Sequence, residues 1–256
     1  MRAWLVLVAG CYNPSVQPGS PCPDGTCPSG LVCSVTGTCE LGFGDADVID
    51  DSSDGAAVGP CTKSIFADDF AGTTADPFWN VTPGSGLSIS EVGGVVRAQF
   101  ANPTPGSQLA RYESGSLLDF RDGCAVFEIG LLPVGSGRFA FARVGIAEQH
   151  VSFRLGNVGG TAKVFAEHRK GQVNSGLGSV GFDATLHRFL RIRNTGASFV
   201  LETAGAAAGP FVLLGTTADT NIDPASTLVL VGAGTDSAAT MGSTTAEWSS
   251  FALLGQ

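Results

Sequence analysis

A chain of 256 residues with a formal net charge of -9 has room for one large domain and short accessory segments, and its acidity argues against nucleic acid or anionic lipid surfaces, which need a basic face to displace counterions. Only 14% of its residues are charged while glycine reaches 36, against roughly a quarter charged in an average soluble protein, a balance that suits many strands joined by tight turns. Seven cysteines, four of them between positions 22 and 39, are unusual for a reducing cytosol and expected in an exported protein.

The first residues, MRAWLVLVAGC, place Arg2 before an apolar run from Ala3 to Gly10 that ends at Cys11. Eight apolar residues fall short of the about 20 that a membrane-crossing helix needs, so the run reads as an export signal over residues 1–10. Val8-Ala9-Gly10-Cys11 resembles a bacterial lipobox. That resemblance implies cleavage before Cys11, lipidation of its thiol and attachment to a membrane through acyl chains, of which two hold firmly where one is marginal. Tyr12 and Asn13 stand where an aspartate retains such proteins at the inner membrane of enteric-type bacteria, which places the expected address at the outer membrane or cell surface. The competing reading is a buried strand that ends in Gly-Cys.

Residues 11–40 hold Cys22, Cys27, Cys33 and Cys39 among prolines and glycines. No stretch there can build a core, so crosslinks must replace hydrophobic burial. Two disulfides are favoured over a zinc site, because the spacings are wider than zinc knuckles use and the segment follows an export signal; four cysteines allow three pairings. The segment resembles the short cysteine-rich pieces that follow the lipidated cysteine in some Gram-negative surface lipoproteins. Residues 41–60 carry Asp45, Asp47, Asp50, Asp51 and Asp54 among Gly, Ser and Ala, an acidic, self-repelling, disordered linker. No glycine and glutamate follow Asp45 at calcium-loop spacing.

From residue 61 to 256 strand patterns recur, separated by Gly, Pro, Asn and Asp: Ile65–Phe70, Gly86–Ile89, Val95–Phe100, Gln108–Tyr112, Ala125–Leu132, Phe139–Ile146, Val151–Leu155, Ala162–Glu167, the hairpin His187–Glu202, Phe211–Leu214, Thr227–Val231 and Glu247–Leu254. Val151, Phe153 and Leu155 alternate with Ser152 and Arg154, as in a sheet wetted on one side. No segment sustains helical periodicity. The pattern predicts an all-β domain, an antiparallel sandwich of two sheets. Cys61 and Cys124 are left to pair with each other, or one of them with the cysteine-rich segment.

The opening FADDFAGTTADPFWNVTPGSG, the hairpin LSISEVGGVVRAQF, the segment HRFLRIRNTGASFVLETAG and the closing AEWSSFALL together resemble the concanavalin A-like lectin/glucanase jelly roll. The resemblance covers about 190 residues and implies that the Asp-Asp-Phe strand and the closing aromatic strand lie side by side. It also implies a Glu-x-Asp-x-x-Glu strand in members that hydrolyse glycans, where alternation sends the carboxylates to one face. Glu128 has Gly130 and Pro133 in the partner positions, so the sequence predicts a domain that is not an enzyme.

Other candidate sites are thin. Gly176, Gly178 and Gly181 spell GxGxxG without the strand before and helix after that a dinucleotide site needs, and read as a turn. His150, His168 and His187 stand singly, with no nucleophile motif nearby. Asp219, Asn221 and Asp223 begin a calcium-loop spacing that Pro224 and Leu230 interrupt, so a capped turn competes with a Ca2+ site and no other cofactor is expected. Arg143, Arg154, Lys163, Glu167, Arg191 and Arg193 alternate on neighbouring strands and are expected to line a shallow polar groove that binds glycan or another envelope component. Trp79, Phe165 and Trp248 are the candidate aromatic platforms, with a core role as the competing reading for each. The sequence thus predicts a lipid-anchored surface protein whose non-catalytic sandwich binds carbohydrate or another envelope component; the alternatives are a structural or adhesive module that binds no small ligand, and a divergent glycoside hydrolase. Mass spectrometry of the mature protein is expected to show Met1 removed and acyl mass on Cys11; Met1 intact and Cys11 unmodified would contradict the anchor.

Overall fold

The computed structural model describes residues 31–33, 39–41, 61–146, 148–218, 221–236 and 241–255. Cys11, Cys22, Cys27, the acidic linker and Asp219 lie outside the described residues, as do the side chains of Cys33 and Cys39. The chain divides into two units, Met1–Ile49 and Asp50–Gln256. Within the first, β1 (Leu31–Cys33) pairs antiparallel with β2 (Cys39–Leu41), setting Cys33 opposite Cys39.

The second unit is built from strands throughout. In chain order they are β3 (Lys63–Asp68), β4 (Trp79–Thr82), β5 (Leu87–Glu91), β6 (Val96–Phe100), β7 (Leu109–Ser114), β8 (Cys124–Leu131), β9 (Arg138–Ile146) and β10 (Gln149–Val158). There follow β11 (Thr161–Lys170), β12 (Val173–Gly181), β13 (Phe189–Asn194), β14 (Phe199–Ala204), β15 (Val212–Thr217), β16 (Val229–Thr235) and β17 (Thr244–Gly255). They form a seven-stranded sheet in the order β12-β11-β10-β9-β16-β7-β4 and an eight-stranded sheet in the order β15-β14-β13-β8-β17-β6-β5, with β3 also paired to β17. Every pairing is antiparallel. The expected two-sheet jelly-roll sandwich is what forms.

Alternation decides what enters the core. On β9, β10 and β11 the inward positions are Ala140, Ala142 and Val144; Val151, Phe153 and Leu155; Val164 and Ala166, all fully buried. Leu190, Ile192, Phe127 and Phe251 meet them from the other sheet. β17 is the hinge of the arrangement: β8 runs along one side of it, and β6 and then β3 along the other, which puts Phe251 opposite Asp68. The opening and closing strands therefore lie side by side, as the resemblance implied. Trp248 is wholly buried, and its indole Nε1 donates a hydrogen bond of 3.1 Å to the Gly232 carbonyl of β16 in the opposite sheet.

Two further ties fasten the opening of the domain. Cys61 and Cys124 form a disulfide with their Cα atoms 6.0 Å apart, closing a loop of 63 residues and so limiting the unfolded chain. Trp79 donates from Nε1 to Asp68 at 2.8 Å and packs edge-on against Phe251, centroids 5.0 Å apart. Nearby, Glu91 is 7% exposed; desolvation pushes its carboxyl above the usual range, and Asp68 and Asp76 push the same way.

β4 and β12 lie outside the strand patterns read from the sequence, and β12 corrects the turn expected at Gly176, Gly178 and Gly181. These glycines sit within a strand at the edge of the seven-stranded sheet. A Cβ on Gly178 would come 1.9 Å from the Leu214 carbonyl, and one on Gly215 would come 2.7 Å from the Leu177 Cβ. The glycines let β12 and β15 approach where the sheet edges meet.

Trp248→Ala is expected to lower stability by about 3 to 5 kcal/mol through the cavity it opens. Trp248→Phe keeps a ring but leaves the Gly232 carbonyl without this donor, at a cost of about 1 to 3 kcal/mol. Chemical denaturation measures both, and variants as stable as the parent would remove this contact from the account.

Candidate functional site

The outward positions of the seven-stranded sheet carry chemistry in a regular lattice. Register puts Arg143, Ser152 and Glu167 in one row across β9, β10 and β11, Phe141, Arg154 and Phe165 in the next, and Phe139, Gly156 and Lys163 in a third. β16 continues these rows with Leu230, Gly232 and Gly234. The two glycines matter because the rings lie over them: a Cβ on Gly232 would meet the Phe141 ring at 2.8 Å, and one on Gly234 the Phe139 ring at 2.7 Å. Phe141 thereby becomes 2% exposed although it points away from the core.

Guanidinium groups cover the other faces of these rings. The Arg143 Cζ stands 5.1 Å from the Phe141 centroid and that of Arg154 4.5 Å from the Phe139 centroid, cation–π distances. Arg154 also donates from Nη2 to Asp236 Oδ1 at 2.6 Å. Beside this pair a depression of about 160 Å³ is lined by Arg138, Phe139, Arg154, Asn157, Phe165 and Asp236. Arg138 fixes its rim by donating to the carbonyls of Val134 (3.2 Å), Met241 (2.9 Å) and Gly242.

The electrostatics of the face are uneven. Burial pushes the Glu167 carboxyl up, Asp236 adds to that, and Arg154 and Arg143 oppose it. Burial lowers the Arg143 guanidinium to about 10, helped by the like charges of Arg111 and Arg169. Those two arginines are themselves paired, Arg111 with Glu113 at 3.0 Å and Arg169 with Glu148 at 2.7 Å. A carboxylic acid that holds its proton into a higher pH range beside an ion-paired carboxylate can donate that proton to a leaving group.

Several expected site residues fall elsewhere. Arg143, Arg154, Lys163 and Glu167 do share a face, but Arg191 and Arg193 lie on β13 in the other sheet, so the six residues do not line one groove. Their Nε atoms both donate to Glu202, at 2.8 and 3.1 Å, and Arg191 stacks on Phe211 at 4.0 Å. Alternation identifies a wet face but not the sheet to which it belongs. Glu128 is also on the eight-stranded sheet, ion-paired with Arg188 and accepting a hydrogen bond from Ser250 at 2.8 Å. Of the candidate platforms Trp79 and Trp248 are core, and Phe165 is half-buried on the outward face. Asp223 caps a turn by accepting from the Ala225 amide at 2.9 Å. Among the described residues no three His, Cys, Asp or Glu side chains gather as a metal site.

The sequence reading missed Phe139, Phe141 and Asp236. A hydrophobic pattern turns large rings inward, yet on β9 the alanines face the core and the phenylalanines face out. The available signal was Gly232 and Gly234 on the adjoining strand.

No protein-family model and no curated protein matches the chain. Solved structures do. A GH43 protein from Bacillus licheniformis matches with TM-score 0.53 at 16% identity over 74% of this chain, which spans 39% of that structure's length. A laminarinase from Flavobacterium sp. UMI-01 matches with TM-score 0.54 at 13% identity over 75% of this chain and 100% of its own. A pseudo beta-1,3-glucanase of Mycobacterium tuberculosis matches with TM-score 0.51 at 13% identity over 76% and 100%. These neighbours correct the expectation of a domain that is not an enzyme. That expectation rested on the missing partners of Glu128, and the same sandwich occurs in proteins named as a GH43 member and a laminarinase. The domain has the concanavalin A-like jelly-roll fold.

Proposed function

We propose that the sandwich is a carbohydrate-active domain, a divergent glycoside hydrolase, whose glycan lies across the outward face of the seven-stranded sheet. The observation that carries this reading is the depression lined by Phe139, Phe165, Arg154 and Asp236, with the half-buried Glu167 two residues from Phe165 on the same face of β11 and electrostatically coupled to Arg154 and Asp236. The half-buried ring of Phe165 offers a face to the apolar side of a sugar ring, while planar charged groups hydrogen-bond its hydroxyls. Glu167 acts as the proton donor to the glycosidic oxygen. Asp236, ion-paired with Arg154, supplies the second carboxylate that such chemistry uses. The sugar-active neighbours support the reading through the fold they share with this chain. The domain is held at the cell surface by the lipid on Cys11, with residues 11–60 as its tether.

Incubation with β-1,3-glucan, xylan and xyloglucan, followed by assay of new reducing ends, tests the proposal. Wild type is expected to release reducing ends, and Glu167→Gln to lose about 100-fold or more in kcat while keeping its affinity. Since the acid works only while protonated, activity should decline as pH rises through a value above the ordinary glutamate range. Binding without release would overturn the hydrolase reading, and no binding to any glycan would overturn the assignment to carbohydrate.

A further inference from the structure

Most cations on the outward face of the seven-stranded sheet are accounted for. Arg111 has Glu113, Arg169 has Glu148 and Arg154 has Asp236. Arg143 differs. It sits in the middle of the lattice between Leu230 of β16 and Ser152 of β10, stacked on the outward ring of Phe141, and has no carboxylate partner among the described residues. Its Nε is buried without a hydrogen-bond acceptor, as is that of Arg111, but Arg111 has the Glu113 carboxylate 3.0 Å away. Glu167 is one strand beyond Ser152 in the same row, and the cation that acts on it most strongly is Arg154. Glu113 and Glu148 are already engaged by Arg111 and Arg169.

A largely buried guanidinium with no direct ion pair, on which Glu113 and Glu148 act only from a distance while engaged by other arginines, is costly to a fold and is retained where something else neutralises it. The stacking fixes its plane against the ring, and the in-plane N–H groups of such a fork match the two oxygens of a carboxylate or a sulfate. The chain's net charge of -9 repels a densely charged polymer at long range, so the partner that fits is a single negative group on an uncharged chain.

We infer that Arg143 is a specificity subsite for one anionic substituent, the carboxylate of a uronic acid or a sulfate ester, carried on an otherwise neutral glycan. The inference rests on the reading of this face as the one that engages carbohydrate. It adds a substrate class that the shared fold does not specify, and it separates Arg143, which grips the substituent, from Glu167 and Asp236, which act at the bond.

The test compares binding of the intact chain, by calorimetry, to glucuronate-substituted xylan, to the same xylan after chemical reduction of its carboxyl groups, and to a lightly sulfated dextran beside plain dextran. The acidic member of at least one pair is expected to bind about tenfold or more tightly than its neutral counterpart, the worth of one charge-assisted contact. The pair that shows the preference tells carboxylate from sulfate. Arg143→Met should erase the preference while leaving affinity for the neutral member within about twofold, and Arg143→Lys, which keeps the charge but not the fork, should retain part of it. Equal binding of acidic and neutral members by wild type overturns the subsite and leaves the proposed function standing. A preference that survives in Arg143→Met also overturns it. Should Arg143→Met fail to fold, the wild-type ratio and the lysine variant still decide. Binding to none of the four polymers would overturn the subsite, and the assay on β-1,3-glucan and xyloglucan then decides the proposed function separately.

Discussion

Gly232 is constrained from two directions. From within the sandwich its carbonyl accepts the indole hydrogen of Trp248, which crosses from the opposite sheet. From outside, the Phe141 ring lies in the space that a side chain at this position would fill. Core and outward face therefore meet at one backbone position of β16. Any side chain there would disturb both the contact between the sheets and the ring that supports Arg143. This explains why a central strand tolerates Gly232 and Gly234, which weaken strands elsewhere by leaving nothing to pack.

The same economy recurs at the sheet edge, where Gly178 and Gly215 allow β12 and β15 to approach. The polar lattice is then set by register alone. Because β9, β10 and β11 are long and pair without interruption through Phe139 to Glu167, Arg143, Ser152 and Glu167 fall in line, with Arg154 between rings in the row beside them. Long antiparallel strands hold such groups more rigidly than loops could. The loops contribute Asp236 and the rim, which Arg138 pins through three carbonyls.

Much of the architecture was legible in the sequence, because half-buried antiparallel strands leave a two-residue period and turns leave Gly, Asn and Asp. Val151, Phe153 and Leu155 turned inward as their pattern required, and Asp68 came to lie beside Phe251. β12 was not legible, since VNSGLGSVG has neither alternation nor β-branched density, and its place is fixed by pairing with β11. The site was half legible. Charge alternation found Arg143, Arg154, Lys163 and Glu167, but nothing local distinguishes them from Arg191 and Arg193, whose sheet is decided by pairing with β8 and β14. The direction of Phe139 and Phe141 depends on a strand about 90 residues away, beyond any local rule. Glu128 lies on the eight-stranded sheet, whereas Glu167 and Asp236 lie at the other one.

The proposed function requires sugar on the outward face of the seven-stranded sheet. Amide hydrogen exchange, followed by mass spectrometry with and without a saturating glycan, tests it most directly, because it needs no mutation and surveys both sheets at once. Slowed exchange is predicted at the rim of the depression, in residues 136–139 and 157–160, with β13 and β14 unchanged. Slowing confined to residues 188–204, or no change at saturation, would contradict it.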